Sequence, residues 1–352
     1  MKSSGDERPA KKSRRVKTQT EGPVVFDEPS ELFLRVGADH VEEAVVFSVC
    51  PKALARLSKV FAKMLNGGFA ESRPADKEQR WEIELPDDKP ASLQILMDIM
   101  HGKVHEVPNK LGLTDLWDVI VAADKYDVVH LLQPWRGWIN SVEHRTLEMR
   151  LLGVAWHLKD FRIFSLMMTS IAEKAGLNEN REMYFQYNGE SGARHDFSEL
   201  LNRFVPSRII DQLPDLRRRL VSAVLQPYVD IVKSILSIGD VGLCPEGVHA
   251  CDDIQLAVVV RLFSVKGINI TLQNQGEVYD GTVHSLKRFI ERINIAIFPY
   301  YERFHPRMLH SSMEIQAHCR GMLRRVQKTA AQDALKNPTK LTLSPQDIAH
   351  FQ

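Results

Sequence analysis

The sequence predicts an α+β domain followed by a mainly α-helical one. Three observations carry this. The chain has 352 residues, room for two domains at roughly 100–200 residues each. Two-residue alternation of apolar and polar side chains is confined to segments before residue 86, as half-buried strands require. From about residue 143 onward, apolar residues recur at helical spacing with almost no strand signal. With 44% hydrophobic and 26% charged residues, the chain has enough apolar material for a core, which excludes wholesale disorder.

The elements follow in order. Residues 1–22 hold seven basic and two acidic side chains within the first 20, and almost nothing apolar. They read as a disordered basic tail. Val24-Val25-Phe26 is a short apolar run closed by Asp27-Glu28-Pro29. Leu32-Phe33-Leu34-Arg35-Val36, ended by Gly37, reads as a strand. Ala44-Val45-Val46-Phe47-Ser48-Val49 reads as its hairpin partner. The period then changes from 2 to 3.6. Leu54, Leu57, Phe61, Met64 and Leu65 share one face of a single helix. Pro51 suits its first turn and Gly67-Gly68 stops it.

Trp81-Glu82-Ile83-Glu84-Leu85 alternates as a third strand. Pro90 opens a helix with Leu93, Leu96, Ile99 and Met100 inward, ended by Gly102. A further helix presents Leu113, Leu116, Trp117, Ile120 and Ala123. Val128 to Trp138 reads as one more, interrupted at Pro134. Residues 23–142 therefore form a small sheet covered by helices, and 143–352 a mainly helical domain.

In the second domain, Leu147, Leu151, Val154, Ala155 and Leu158 have helical spacing, which Phe161, Phe164, Met167 and Ile171 continue. Residues 188–197 read as a loop. Leu213, Leu216, Leu220, Val224, Tyr228, Ile231 and Ile235 form a long stripe that Pro227 should kink. Weaker helices are expected at about 252–264, 282–297 and 308–332. Ser344-Pro345-Gln346-Asp347 is a helix start, with Ser as N-cap and Pro at N1.

Particular residues in the first domain carry a family pattern. They are Leu32-Phe33-Leu34-Arg35-Val36-Gly37, then Phe47 through Phe61 with Leu54-Ala55, Ser58 and Phe61 in register. Phe69-Ala70-Glu71-Ser72, Leu85-Pro86-Asp87-Asp88, Ala123-Asp124-Lys125-Tyr126 and the pair Trp135 and Trp138 complete it. In this pattern residues 23–142 resemble the BTB/POZ domain, in the divergent form common in filamentous fungi. Residues 143–352 are similar to the helical extensions behind such domains. Cys50 stands where the family usually has histidine, and His101-Gly102 where it usually has Tyr-x-Gly.

The resemblance implies protein partners. Many members homodimerise through the first strand and first helix, although Pro51 here replaces a charge that dimerising members usually carry and Glu31 stands near the usual first-strand Asp. Some members recruit a cullin scaffold as substrate adaptors for ubiquitin ligation. Those often carry a hydrophobic-x-Glu motif after the helix bearing Ser-x-x-Phe, and Phe69-Ala70-Glu71 occupies that place. An apolar anchor fills a pocket while a carboxylate fixes register. The bland alternative is that Phe69 packs the helix end and Glu71 is merely solvated.

Charge and motifs bound the remaining functions. The net charge is +1, so no chain-wide field for nucleic acid or membrane exists. No zinc finger or basic helix follows the first domain, so direct nucleic-acid binding is not expected. No apolar run approaches the ~18–20 residues of a membrane helix. Lys11, Lys12, Arg14, Arg15 and Lys17 read as a nuclear import signal. The alternatives are a solubilising tail, or a charge cluster tuned by phosphorylation at Ser13. The expected location is the nucleus, the cytoplasm or both.

Four cysteines and no secretory signal point to a reducing compartment, which sets aside the sequon at Asn269-Ile270-Thr271. Cys244, His249, Cys251, His318 and Cys319 lack zinc-ligand spacing, and adjacent His318-Cys319 would point about 100° apart on a helix. Cys50 before Pro51 reads as a buried thiol more readily than a reactive one. Phosphate-loop, dinucleotide, metalloprotease and nucleophile-elbow motifs are absent. A non-enzymatic interaction protein without cofactor or metal is expected, with a nuclear scaffold or transcription cofactor as the alternative to the ligase adaptor.

Overall fold

The alternating segments assemble into a four-stranded mixed sheet. The structure, a computed structural model, describes residues 22–40, 44–76, 79–142, 149–185, 195–196, 201–202, 204–237, 249–271, 279–292, 329 and 343–352. The chain divides into two compact units, Met1–Asp160 and Phe161–Gln352.

In the first unit the strands are β1 (Val24–Val25), β2 (Leu32–Val36), β3 (Val45–Val49) and β4 (Glu82–Leu85). Their spatial order is β1-β3-β2-β4. β2 and β3 pair antiparallel as the expected hairpin, with Leu34 opposite Phe47. β1 lies parallel to β3, and β4 parallel to β2. Alternation decides the faces. Leu32, Leu34, Val36, Ile83 and Leu85 are buried, while Arg35, Glu82 and Glu84 are exposed.

Helices cover the apolar face. They are α1 (Pro51–Leu57), α2 (Lys59–Asn66), α3 (Pro90–Met100), α4 (Leu113–Lys125) and α5 (Met149–His157), with a 3-10 segment at Val129–Ser141. α1 packs on α3, α3 on α4, and α4 on the 3-10 segment and α5.

Two expectations about these helices are corrected. The single helix through Leu54 and Leu65 is broken at Ser58, which is extended at φ −124° and ψ 121°. Ser58 is buried, and its hydroxyl accepts from the Phe61 N–H at 3.0 Å while donating to the Tyr126 carbonyl at 2.6 Å. It caps α2 and ties it to the end of α4, which a continuous helix would forbid. The segment after Val128 winds as a 3-10 helix through Pro134, not as an interrupted α-helix. Proline would clash with the carbonyl four residues back in an α-helix, and tighter winding avoids this. Trp138 is buried there and donates its indole N–H to the Pro108 carbonyl at 2.8 Å.

Three helices of this unit end alike. α3 closes with the Lys103 N–H on the Asp98 carbonyl at 2.8 Å, α4 with Val128 on Ala123 at 2.8 Å, and α5 with Asp160 on Ala155 at 2.9 Å. Each closure needs a left-handed residue. Gly102 supplies the first, at φ 72°, but Asp127 and Lys159 supply the others at φ 54° and 58°. The Lys159 turn separates α5 from the following helix, which the apolar spacing had run together.

In the second unit, α6 (Phe161–Lys174) packs on a helix of 24 residues, α8 (Leu213–Leu236), preceded by the short α7 (Ser207–Ile210). α8 packs in turn on α9 (His249–Ser264). The expected stripe from Leu213 to Ile235 is buried throughout. Pro227 sits inside α8 without ending it. Residues 283–292 are helical, here α10, and α11 is Pro345–Phe351. The helix expected at 308–332 lies outside the described residues, apart from helical residue 329.

This unit also contains a sheet that the sequence did not announce. β5 (Gly176–Leu177), β6 (Met183–Phe185) and β7 (His195–Asp196) pair antiparallel. Two or three residues are too few for alternation to register. Within the loop expected at 188–197, residues 195–196 are therefore a strand, and the others lie outside the described residues.

Two buried charges organise this unit. Arg217 is 2% exposed and donates to the carbonyls of Ala175, Tyr279 and Gly281 at 3.2, 2.9 and 2.5 Å. Asp347 is 1% exposed and accepts from Arg208 Nε at 2.9 Å, Gln212 Nε2 at 3.1 Å and Ser344 Oγ at 2.6 Å. Ser344 also caps α11 by accepting the Asp347 N–H.

In the first unit, the Ser58 junction yields a direct test. All five tryptophans precede residue 161, so selectively excited tryptophan fluorescence reports on this unit. Ser58→Ala removes a cap and a buried hydrogen bond together and should lower its unfolding free energy by about 1–3 kcal/mol. The denaturant midpoint should fall with an unchanged slope. A midpoint equal to that of the parent chain would show that α1 and α2 are held apart by something else.

Candidate docking site

The turn after α2 presents the two residues singled out for docking. α2 ends at Asn66, with Gly67 as its C-cap at φ −86°. Gly68 then adopts φ 74°, a left-handed conformation that turns the chain outward at no steric cost. Phe69 follows and is 60% exposed. Glu71 is exposed as well. A ring edge rests on Gly67 at the end of α2, where an added Cβ would lie 2.7 Å from Phe69 Cε2, while most of the ring stays exposed.

The turn is braced on both sides. The Ser72 N–H donates to the Phe69 carbonyl at 3.0 Å, and the Ser72 hydroxyl to the Met64 carbonyl of α2 at 3.2 Å. On the sheet side, the Trp81 indole N–H donates to the Glu71 carbonyl at 2.9 Å. Trp81 is 8% exposed, and its own carbonyl accepts from the Phe33 N–H at 3.0 Å. Arg73 lies 5.9 Å from the Trp81 ring centroid and pairs with Glu31 at 3.2 Å. In the sequence, Trp81 simply opens the third alternating strand. Nothing in the local pattern signals that its indole N–H holds the Glu71 backbone.

The unit also holds a buried polar constellation around Asp88. Asp88 is buried and accepts from the Tyr126 hydroxyl at 2.7 Å and from Lys125 Nζ at 2.8 Å. Phe61 stacks on Tyr126 at 4.3 Å with ring planes 5° apart. Burial, and then the negative charge of Asp88, push the Tyr126 hydroxyl well above its ordinary range, so it stays protonated and donates.

Two of the departures from the family pattern, Cys50 and His101, are neighbours. The Cys50 N–H donates to His101 Nε2 at 3.0 Å, and His101 Nδ1 faces the Met97 carbonyl at 2.8 Å. Nε2 is therefore the acceptor and Nδ1 carries the hydrogen, so the imidazole is neutral. Phe26 lies against it at 5.6 Å. Lys103 Nζ donates to the Val25 carbonyl at 2.8 Å, covering the exposed β1 edge. Burial lowers the His101 pKa below its usual 6.5; the Met97 carbonyl and Asp27 oppose that shift in part, while Lys103 adds to it.

Residues 34–136 match the family model of the BTB/POZ domain. This stretch is a BTB/POZ domain. A search of curated proteins finds no match to the chain. BTB/POZ domains are protein–protein interaction modules, and the braced turn at Phe69 lies within the matched residues.

The remaining candidates are placed as follows. Lys11, Lys12, Ser13, Arg14, Arg15 and Lys17 lie outside the described residues, as do Cys244, His318 and Cys319. His249 opens α9 and Cys251 follows on the same helix. Among the described residues, no group of three or more His, Cys, Asp or Glu side chains could hold a metal ion. No helix among them is long and apolar enough to cross a membrane.

The His101 geometry sets a pH dependence. Between its lowered folded pKa and 6.5, the unfolded chain binds more protons than the folded one, so stability rises with pH in that window. Acidification from about pH 7.5 to about pH 5.5 should therefore lower the fluorescence-detected melting temperature. His101→Gln, which does not titrate, should lose part of that dependence. An identical pH slope in the variant would assign the effect to other groups.

Proposed function

We propose that the chain is a non-enzymatic adaptor that links a partner to a cullin-type ubiquitin ligase, with Phe69 and Glu71 as the docking residues. The observation that carries this reading is the exposed Phe69 ring, displayed on a braced turn directly after the Ser58-x-x-Phe61 helix of a BTB/POZ domain. At 60% exposure the Phe69 ring is accessible to a partner. The neighbouring carboxylate of Glu71 supplies directionality that an apolar contact lacks. The mainly helical second unit is the part that selects the protein to be brought to the ligase. Homodimerisation through the first strand and first helix is a further property we assign to the domain. We also assign the domain to the divergent fungal form that its residue pattern resembles.

The test is affinity purification of the tagged full chain from its own cells, with mass spectrometry. A cullin and its RING partner should be captured by the parent chain and lost with Phe69→Ala/Glu71→Ala. Equal capture by the folded double variant would remove these residues from the site.

The basic run from Lys11 to Lys17 favours a second reading, a nuclear scaffold or transcription cofactor. Deleting residues 1–20 should then abolish nuclear accumulation of the tagged chain. Unchanged localisation after the deletion would take the tail out of that role.

A further inference from the structure

We infer that Gly67 and Trp81 are positioning residues that hold the Phe69–Glu71 turn ready for its partner; the inference rests on the docking reading above. Phe69 is displayed, yet the backbone around it is fixed at three points. Its carbonyl accepts from the Ser72 N–H, the Ser72 hydroxyl reaches back to Met64 on α2, and the Glu71 carbonyl is held by the Trp81 indole. Trp81 is buried and continuous with the sheet through Phe33. The turn therefore bridges α2 and the start of β4.

Gly67 acts on the ring itself. At φ −86° its backbone is open to any residue, so conformation does not demand glycine there. Space does. A Cβ would stand 2.7 and 3.0 Å from Phe69 Cε2 and Cδ2, and would also strike the Lys63 carbonyl. A side chain at 67 would meet the Lys63 carbonyl at the end of α2 first, and would displace the ring as well. The ring thus has a defined resting place while most of its surface faces solvent.

Such bracing matters because ordering a side chain or loop on binding subtracts from affinity. Here both are ordered before a partner arrives. Gly67 governs where the ring lies, and Trp81 governs where the Glu71 backbone lies. Neither needs to touch the partner.

The test uses the full-length chain and a purified cullin scaffold protein. Gly67→Ala and Trp81→Phe should each bind roughly three- to tenfold more weakly than the parent. Trp81→Phe retains an aromatic ring and removes only the donor, so it keeps the proposal falsifiable if Gly67→Ala fails to fold. A partner-free readout accompanies the titration: 4-fluorophenylalanine placed at position 69 and followed by fluorine NMR. Its resonance should shift in Gly67→Ala and broaden in Trp81→Phe. A purely structural contribution would lower melting temperature and leave the affinity of the folded fraction unchanged.

Parent-like affinity in both variants overturns the positioning role while leaving the docking reading intact. Unmoved fluorine signals in both overturn the bracing itself. If the parent chain does not bind the scaffold at all, the docking reading fails and the positioning role in docking fails with it. The fluorine arm then still separates a braced turn from a free one.

Discussion

The first unit turns on a buried carboxylate shared between two donors. Asp88 leaves the end of β4 and receives both the Tyr126 hydroxyl and the Lys125 ammonium at the end of α4. Tyr126 in turn offers its carbonyl to Ser58 and its ring face to Phe61. One side chain thereby joins the sheet, the α1–α2 junction and the last turn of α4. A buried charge is stabilising in such a place only when its hydrogen bonds are complete. Because Tyr126 remains protonated, Asp88 gains a partner that does not compete for charge.

This junction also decides where the Phe69 turn can be. With α2 capped at Ser58 and anchored to Tyr126, its C-terminal end emerges at a fixed angle. The glycine pair and the Trp81 contact then set the turn between α2 and β4. The display of Phe69 is thus a consequence of core polar chemistry at a distance. The second unit uses the same device twice. Arg217 gathers carbonyls from residues remote in sequence, and Asp347 draws α11 onto the segment at Arg208 and Gln212.

Much of this was legible in the sequence, for identifiable reasons. β2, β4 and the α8 stripe were readable because each buries one face over enough residues for its period to appear. The α11 start was readable because its cap is local, with Ser344 and Asp347 three residues apart. Family spacing singles out Phe69 and Glu71, and the structure adds that both are exposed. What escaped was non-local or conformationally costly. Ser58 looks like an interior helix residue until Tyr126, 68 positions away, is brought beside it. Asp127 and Lys159 adopt left-handed conformations that their identities do not advertise.

By itself, the sequence determined which segments alternate and which wind, that a small sheet precedes a helical region, and which residues form the BTB/POZ pattern. These are properties of spacing along one chain segment, and spacing survives without a fold. Only the tertiary structure decided that one apolar stripe is two helices, that Cys50 and His101 bond to each other, and that Trp81 braces the Phe69 turn. The physical reason is common to all three. Each depends on a donor and an acceptor separated along the chain, whose pairing gains free energy only once folding has removed both from water.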